Sequence, residues 1–276
     1  MDNLFFFTDV HGDWELYQAA KQFCLQAPQS TIVYGGDACD RGHDGFRIMI
    51  DLLNTPQIIY LMGNHEEMFV WGTGLLSTII KSDITTADEV QSLFNNIQDK
   101  NFPIYAENGC LPTLKDWILC GCDKQIVSLI KELPLTYSYN NIDFCHAGGR
   151  FATFQRVAVE KKMAREKDKE EVLWDRKYWS LGWENDRICI HGHTPTPFLP
   201  AVVYGRDKSI ENIHPCIWGE LLGQKAIRGG KKIDMDAGTP STHKLFVLNC
   251  LTGEVTGFLK DITTKTVSQF QQYKLF

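Results

Sequence analysis

The sequence predicts an α/β protein, and three observations carry that reading. Short apolar runs rich in β-branched and aromatic residues recur along the chain, stretches with helical character separate the early ones, and most of the runs end on a polar side chain able to hold a metal. Strand–helix–strand alternation implies right-handed crossovers, and in such sheets ligands collect where the carboxyl ends of the strands open into a crevice.

The first run, Leu4 to Phe7, leads into Thr8, Asp9, Val10 and His11. A helix is expected from about Trp14 to Gln26, closed by Pro28, because proline cannot continue a helix. Thr31 to Tyr34 then reaches Gly35, Gly36 and Asp37, with a second helix from about Gly45 to Leu53 closed by Pro56. Ile58 to Met62 enters Gly63, Asn64 and His65, Ile142 to Cys145 precedes His146, and Ile188 to Ile190 precedes His191 and His193. Leu245 to Leu248 has the same strand character, with Asp234 and Asp236 before it.

Two regions depart from this rhythm. Residues from about Glu66 to Leu133 read as a mainly helical insertion, and Phe198 to Lys232 as a long loop ending in the basic string Arg228-Gly-Gly-Lys-Lys232. Arg156 to Glu171 is charge-rich and reads as the solvated face of a helix. The whole of 1–276 is expected to form one domain.

Composition narrows the function. With 43% hydrophobic and 22% charged residues the chain is that of a globular protein. A net charge of −6 speaks against non-specific nucleic-acid binding, which needs a basic face to displace counterions. No uncharged apolar run approaches the ~20 residues of a membrane span. The N-terminus carries an acid where a secretory signal wants a base, and nine cysteines lack paired spacing. These features lead us to expect a cytoplasmic protein with reduced thiols, and neither nucleic acid nor membrane as partner. Cys39, between two acids, is expected to be buried filler.

The polar clusters carry the chemistry. Asp9-Val-His11 sits two residues apart on an extended segment, so a carboxylate and an imidazole point to one side and can grip one cation. Gly35-Gly-Asp37-Ala-Cys-Asp40-Arg41-Gly42 turns sharply off a strand, and Gly63-Asn64-His65-Glu66, His146-Ala-Gly-Gly149 and His191-Gly-His193-Thr194 follow. Each is a weak signal alone; five in order at strand ends read as a metal site. Carboxylate, amide oxygen and imidazole suit Mn²⁺, Fe or Zn²⁺.

These clusters resemble the motifs of the metallophosphoesterase (calcineurin-like) superfamily, and within it the phosphoprotein-phosphatase branch, with the pattern GDxHG, GDxxDRG, GNHE, H-(G/A)-G and G-H. The likeness spans Asp9 to His193 and is greatest to the small bacterial and phage serine/threonine phosphatases. Leu173-Trp-Asp-Arg176 resembles their W-x-R segment, and Lys232 to Gly238 their closing I-D-x-G strand. Thr8, where the first motif usually has glycine, is a departure, and the long stretch before Lys232 is a larger one.

The resemblance implies a two-sheet β-sandwich core flanked by helices in four layers, and two divalent metal ions, Mn²⁺ foremost with Fe or Zn²⁺ as alternatives. Asp9, His11 and Asp37 would hold the first; Asp37, as a bridge, with Asn64, His146 and His193 would hold the second. A hydroxide shared between the ions would attack phosphorus. His65 would protonate the departing oxygen, oriented by Asp40, while Arg41 and Arg176 would grip phosphate oxygens. His191, off the motif position, is read as a packing residue. The expected activity is a phosphomonoesterase of the serine/threonine type, extending to phosphotyrosine, with a phosphorylated protein or a small phosphoester as substrate. A dinucleoside polyphosphate hydrolase is the alternative within enzymes, mildly favoured by Arg228 to Lys232. A metal-binding regulatory protein without catalysis is a third, and the presence of Asp40, His65 and Arg41 speaks against it.

Overall fold

The computed structural model describes residues 3–81, 83–149, 166–176, 187–196, 216–218 and 231–275. The chain runs β1 (Asn3–Phe7), α1 (Trp14–Gln26), β2 (Ser30–Tyr34), α2 (Gly45–Leu53), β3 (Ile58–Tyr60), then a helical tract of α3 (Asn64–Ile79), α4 (Ala87–Asn95), α5 (Phe102–Glu107), α6 (Leu111–Leu119) and α7 (Lys124–Lys131). β4 (Thr136–Tyr139), β5 (Ile142–Cys145), α8 (Glu166–Trp174), β6 (Ile188–His191), β7 (Cys216–Trp218) and β8 (Lys231–Asp234) follow. The short α9 (Thr239–Thr242) and the strands β9 (Lys244–Asn249), β10 (Glu254–Lys260) and β11 (Val267–Lys274) complete it.

Two sheets result. The first has the order β11-β10-β9-β1-β2-β3 and the second β4-β5-β6-β8-β7. β1, β2 and β3 are mutually parallel, as are β5, β6 and β8, so their carboxyl ends open toward one edge of the sandwich. Alternation along β1 explains why its run is apolar throughout. Leu4 and Phe6 face the second sheet, while Phe5 and Phe7 face the helices. Phe6 and Phe144 stack between the sheets at 5.7 Å. The helical tract packs Phe69, Leu76, Trp117 and Ile130 on the outer face of the first sheet. α8 sets Val172 and Leu173 against Cys145 and Cys189 on the far face of the second. Helices, sheet, sheet and helix make the four layers.

Local chemistry sets the boundaries. Asp13 caps α1 by accepting from Leu16 N–H at 3.1 Å. β3 stops at Tyr60, two residues short of the apolar run, because Leu61 and Met62 turn to donate to the Tyr34 and Pro134 carbonyls. α3 begins at Asn64, so Asn64 and His65 lie in its first turn. In the described part of the charge-rich stretch Glu170 is exposed, Lys169 and Glu171 are half-buried and Asp168 is buried; its portion before Glu166 lies outside the described residues. Of the expected loop, β7 and the first two residues of β8 are described, and Lys232 is buried within the second sheet. Arg228 lies outside the described residues. Among the described residues, no helix is long and apolar enough to cross a membrane.

Phe144 sits in the contact between the sheets. Phe144→Ala should cost about 3–5 kcal/mol in denaturant unfolding, the usual range for emptying a buried aromatic site. A loss below about 1 kcal/mol would show that the sheets are held together elsewhere.

Candidate metal centre

Five loops at the carboxyl ends of β1, β2, β3, β5 and β6 meet at the seam of the sandwich. Asp9, His11, Asp37, Asp40, Arg41 and His193 all adopt positive φ, between 44° and 71°. Side-chained residues rarely accept this conformation, and hydrogen bonds between loops hold it here. Asp9 N–H donates to Gly36 O, His11 N–H to Asp37 O and Arg41 N–H to Gly109 O, at 2.8–3.1 Å. Gly35 must be glycine, because a Cβ there would lie 2.5 Å from the Phe6 ring.

Asp37 stands at the middle. Its Oδ1 accepts His65 N–H at 3.0 Å and lies 3.3 Å from His146 Nε2. Its Oδ2 lies 3.5 Å from His11 Nε2 and 3.8 Å from His65 Nε2. One carboxylate thus addresses two clusters of donor atoms, His11–Asp37–His65 and Asp37–His146–His193, each within 4.8 Å internally and buried.

In the second cluster Asn64 Oδ1 lies 2.9 Å from His146 Nε2 and 2.8 Å from His193 Nδ1, with the two ring nitrogens 3.2 Å apart. His146 Nδ1 faces Gly35 O at 2.9 Å and His11 Nδ1 faces Cys39 O at 2.9 Å. These carbonyls accept from Nδ1 and so turn each Nε2 toward Asp37, where a bound cation would take the place of any proton on that nitrogen. Nitrogens of two imidazoles, an amide oxygen and a carboxylate therefore converge in a buried space, and such a set fits a divalent cation.

The electrostatics agree. Burial pushes Asp9 well above the usual carboxylate range, and Asp236 adds to it. Burial pushes His146 down, but Asp37 and Asp9 outweigh it and hold the imidazole at about 9. Burial also raises Asp37, yet the neighbouring His146 and His65 win, and its carboxyl stays well below the usual range. The pocket attracts positive charge.

Asp9 lies beside these clusters rather than within either. Its carboxylate accepts His193 N–H at 3.2 Å and the Thr8 hydroxyl at 2.6 Å, so Thr8, in place of the motif glycine, has a polar task. Asp40 Oδ2 accepts from His65 Nδ1 at 2.8 Å, leaving His65 Nε2 facing Arg41 Nη2 at 3.3 Å. Burial raises Asp40, with His65 opposing the shift. Arg176 is exposed and donates from Nη1 to His193 O at 3.0 Å. His191 is buried with Nδ1 at 3.0 Å from Gly192 O, and burial pushes it down to about 3, a neutral packing side chain. Cys39 is fully buried.

Two contributors escaped the list of site residues drawn from the sequence. Glu66 accepts from Asp37 N–H, Ala38 N–H, Gly63 N–H and the Tyr60 hydroxyl at 2.7–2.8 Å, fastening the Asp37 loop to α3. It was visible as the fourth letter of Gly-Asn-His-Glu. Asp236 is buried, with its backbone carbonyl held by Thr196 N–H at 2.9 Å, and it is raised to about 6 by burial. Its signal was the pair of acids before β9.

Known proteins share this architecture. A family model described as calcineurin-like phosphoesterase matches residues 3–229. No curated protein matches the sequence. Among solved structures, a cold-active protein-tyrosine phosphatase of a psychrophile Shewanella sp. is 15% identical, with 98% of this chain and 80% of that chain covered and a TM-score of 0.48. A point mutant of a cold-active protein tyrosine phosphatase gives 14% identity, the same coverage and a TM-score of 0.50, a likeness of fold. A metallophosphoesterase from Sphaerobacter thermophilus is 12% identical, with 99% and 88% covered and a TM-score of 0.43. The motifs read along the chain and the family match over residues 3–229 have one meaning: the chain belongs to the calcineurin-like phosphoesterase family.

Proposed function

We propose that this chain is a two-metal phosphomonoesterase acting on phosphoserine and phosphothreonine, with phosphotyrosine also within its scope, and with Mn²⁺ as the preferred ion. The observation that carries the reading is the division of Asp37, one oxygen toward His11 and His65 and the other toward His146, with His65 tethered to Asp40 beside them. A site built only to store metal needs neither the His65–Asp40 pair nor an arginine against it.

Asp9, His11 and Asp37 would hold one ion, and Asp37, Asn64, His146 and His193 the other. A pair of divalent cations supplies neutralisation of phosphate charge and a water acidified from ~15.7 toward ~7. The chain's own residues supply the rest. Arg41 and Arg176 present planar forks to the non-bridging oxygens of the phosphate. Asp40 accepts the Nδ1 proton of His65, which fixes the orientation of the ring and leaves Nε2 free to face the substrate. Nε2–H of that ring then donates to the leaving oxygen, so that serine or threonine departs as a neutral alcohol.

Three measurements check this. His65→Asn should lower kcat by about 10²–10⁴-fold with metal content unchanged; equal activity would remove the acid role. Asp37→Asn should lose metal by elemental analysis, and full retention would refute the bridge. A panel of a phosphopeptide, an aryl phosphate and diadenosine tetraphosphate, assayed with added Mn²⁺, should show turnover of the two monoesters. Efficient turnover of the dinucleotide alone would replace the proposed substrate class.

A further inference from the structure

α8 delivers Arg176 to the site, and its attachment to the molecule is specific. Val172 and Leu173 are buried, and Ala147 N–H donates to Val172 O at 2.8 Å. Those contacts fix the middle of the last turn. On the flank a residue of another helix takes part: Trp174 Nε1–H donates to Glu67 Oε2 at 2.7 Å, and Lys169 Nζ pairs with Glu67 Oε1. Both oxygens of this carboxylate are therefore spent on α8, at positions five residues apart. Glu67 itself lies in the first turn of α3, directly after Asn64, His65 and Glu66.

From this geometry we infer that Glu67 is a positioning residue for Arg176, tying the helix that carries the phosphate-gripping arginine to the helix that carries His65. The inference rests on the phosphomonoesterase reading above. Arg176 follows Trp174 by two residues and is exposed, with a hydrogen bond to His193 O. A long exposed side chain of that kind loses rotamer freedom when it engages a phosphate. Holding the Trp174 indole restrains the segment that carries Arg176 before a substrate arrives, and displacement of a positioned group by about 1 Å is enough to reduce rate substantially. The competing account is an ordinary surface ion pair between Glu67 and Lys169, which contributes little. The two accounts differ in which partner matters, since glutamine keeps an acceptor for Trp174 while giving up the charge that pairs with Lys169.

The test compares Glu67→Ala, Glu67→Gln and Trp174→Phe in the full chain. Glu67→Ala should raise KM for an aryl phosphate and weaken calorimetric binding of inorganic phosphate by about tenfold. Its kcat should stay within about twofold and its metal content unchanged. Glu67→Gln should recover most of the affinity. Trp174→Phe should reproduce the alanine variant, with the double variant no worse than either single one. Hydrogen exchange over 166–176 should quicken in Glu67→Ala, which reads the attachment without any assay of turnover. Quickened exchange with unchanged KM and phosphate affinity overturns the inference. So does a fall in kcat with loss of metal, which would place the effect of Glu67 on Asn64 or His65. If the wild type hydrolyses no monoester, the proposed function fails by itself, and phosphate affinity with exchange still decides the role of Glu67.

Discussion

The carboxylate of Asp37 is the interaction on which the rest depends. It lies in a buried seam where an unpaired negative charge is costly, and it is kept ionised by imidazoles from three separate loops. Its backbone is no freer than its side chain, because Glu66 holds Asp37 N–H and the next amide as well. Glu66 is itself a fully buried carboxylate, raised by burial, and four donors around it offset that cost. One acid positions another, and the second acid gathers the histidines. Losing Glu66 would therefore be felt at every donor atom of the centre, though Glu66 touches none of the imidazoles.

The positive-φ residues express the same constraint in the backbone. A left-handed conformation at a side-chained residue costs roughly 1–2 kcal/mol, and six occur among the site residues. They persist because the loops after β1 and β2 form a short ladder with each other, Asp9 to Gly36, His11 to Asp37 and Gly12 to Ala38. The strain aims side chains from an open strand end back into the seam. A chain relaxing to ordinary φ values would keep its sheets and lose the convergence.

Much of this was legible in the sequence, for physical reasons that can be named. β1 and the ends of β2 and β5 nearest the site are buried on both faces, which demanded apolar residues there, and helices α1 and α2 are bounded by prolines. Motif spacing placed His65 beside Asn64 and Asp40 after Asp37, and the structure brings these residues together. β4, β10 and β11 were not legible, because Thr136–Tyr139, Glu254–Lys260 and Val267–Lys274 mix polar with apolar residues on partly exposed strands. The direction of the Asp9 carboxylate was hidden too. It depends on a peptide N–H of His193, 184 positions away, and no local pattern encodes such a contact. The multiple partners of Glu66 were hidden for the same reason.

The division of labour between strand ends and α8 has a chemical logic. Asp9, Asp37, Asn64, His146 and His193 leave rigid, fully buried elements, as donor atoms that must meet within a few tenths of an ångström require. Arg41 and Arg176 are exposed, and on the proposed function a fork on a long stem there would follow a phosphate whose attached group varies. Arg41 is bound into the strained loop through Gly109, so its freedom is confined to its side chain. Arg176 instead follows a helix that meets α3 through the carboxylate of Glu67. On the proposed function, chemistry at phosphorus and recognition of what phosphorus is attached to would rest on different elements of the fold. On that reading, substrate range would change through α8 and its contact with Glu67 while the residues at the seam stay as they are.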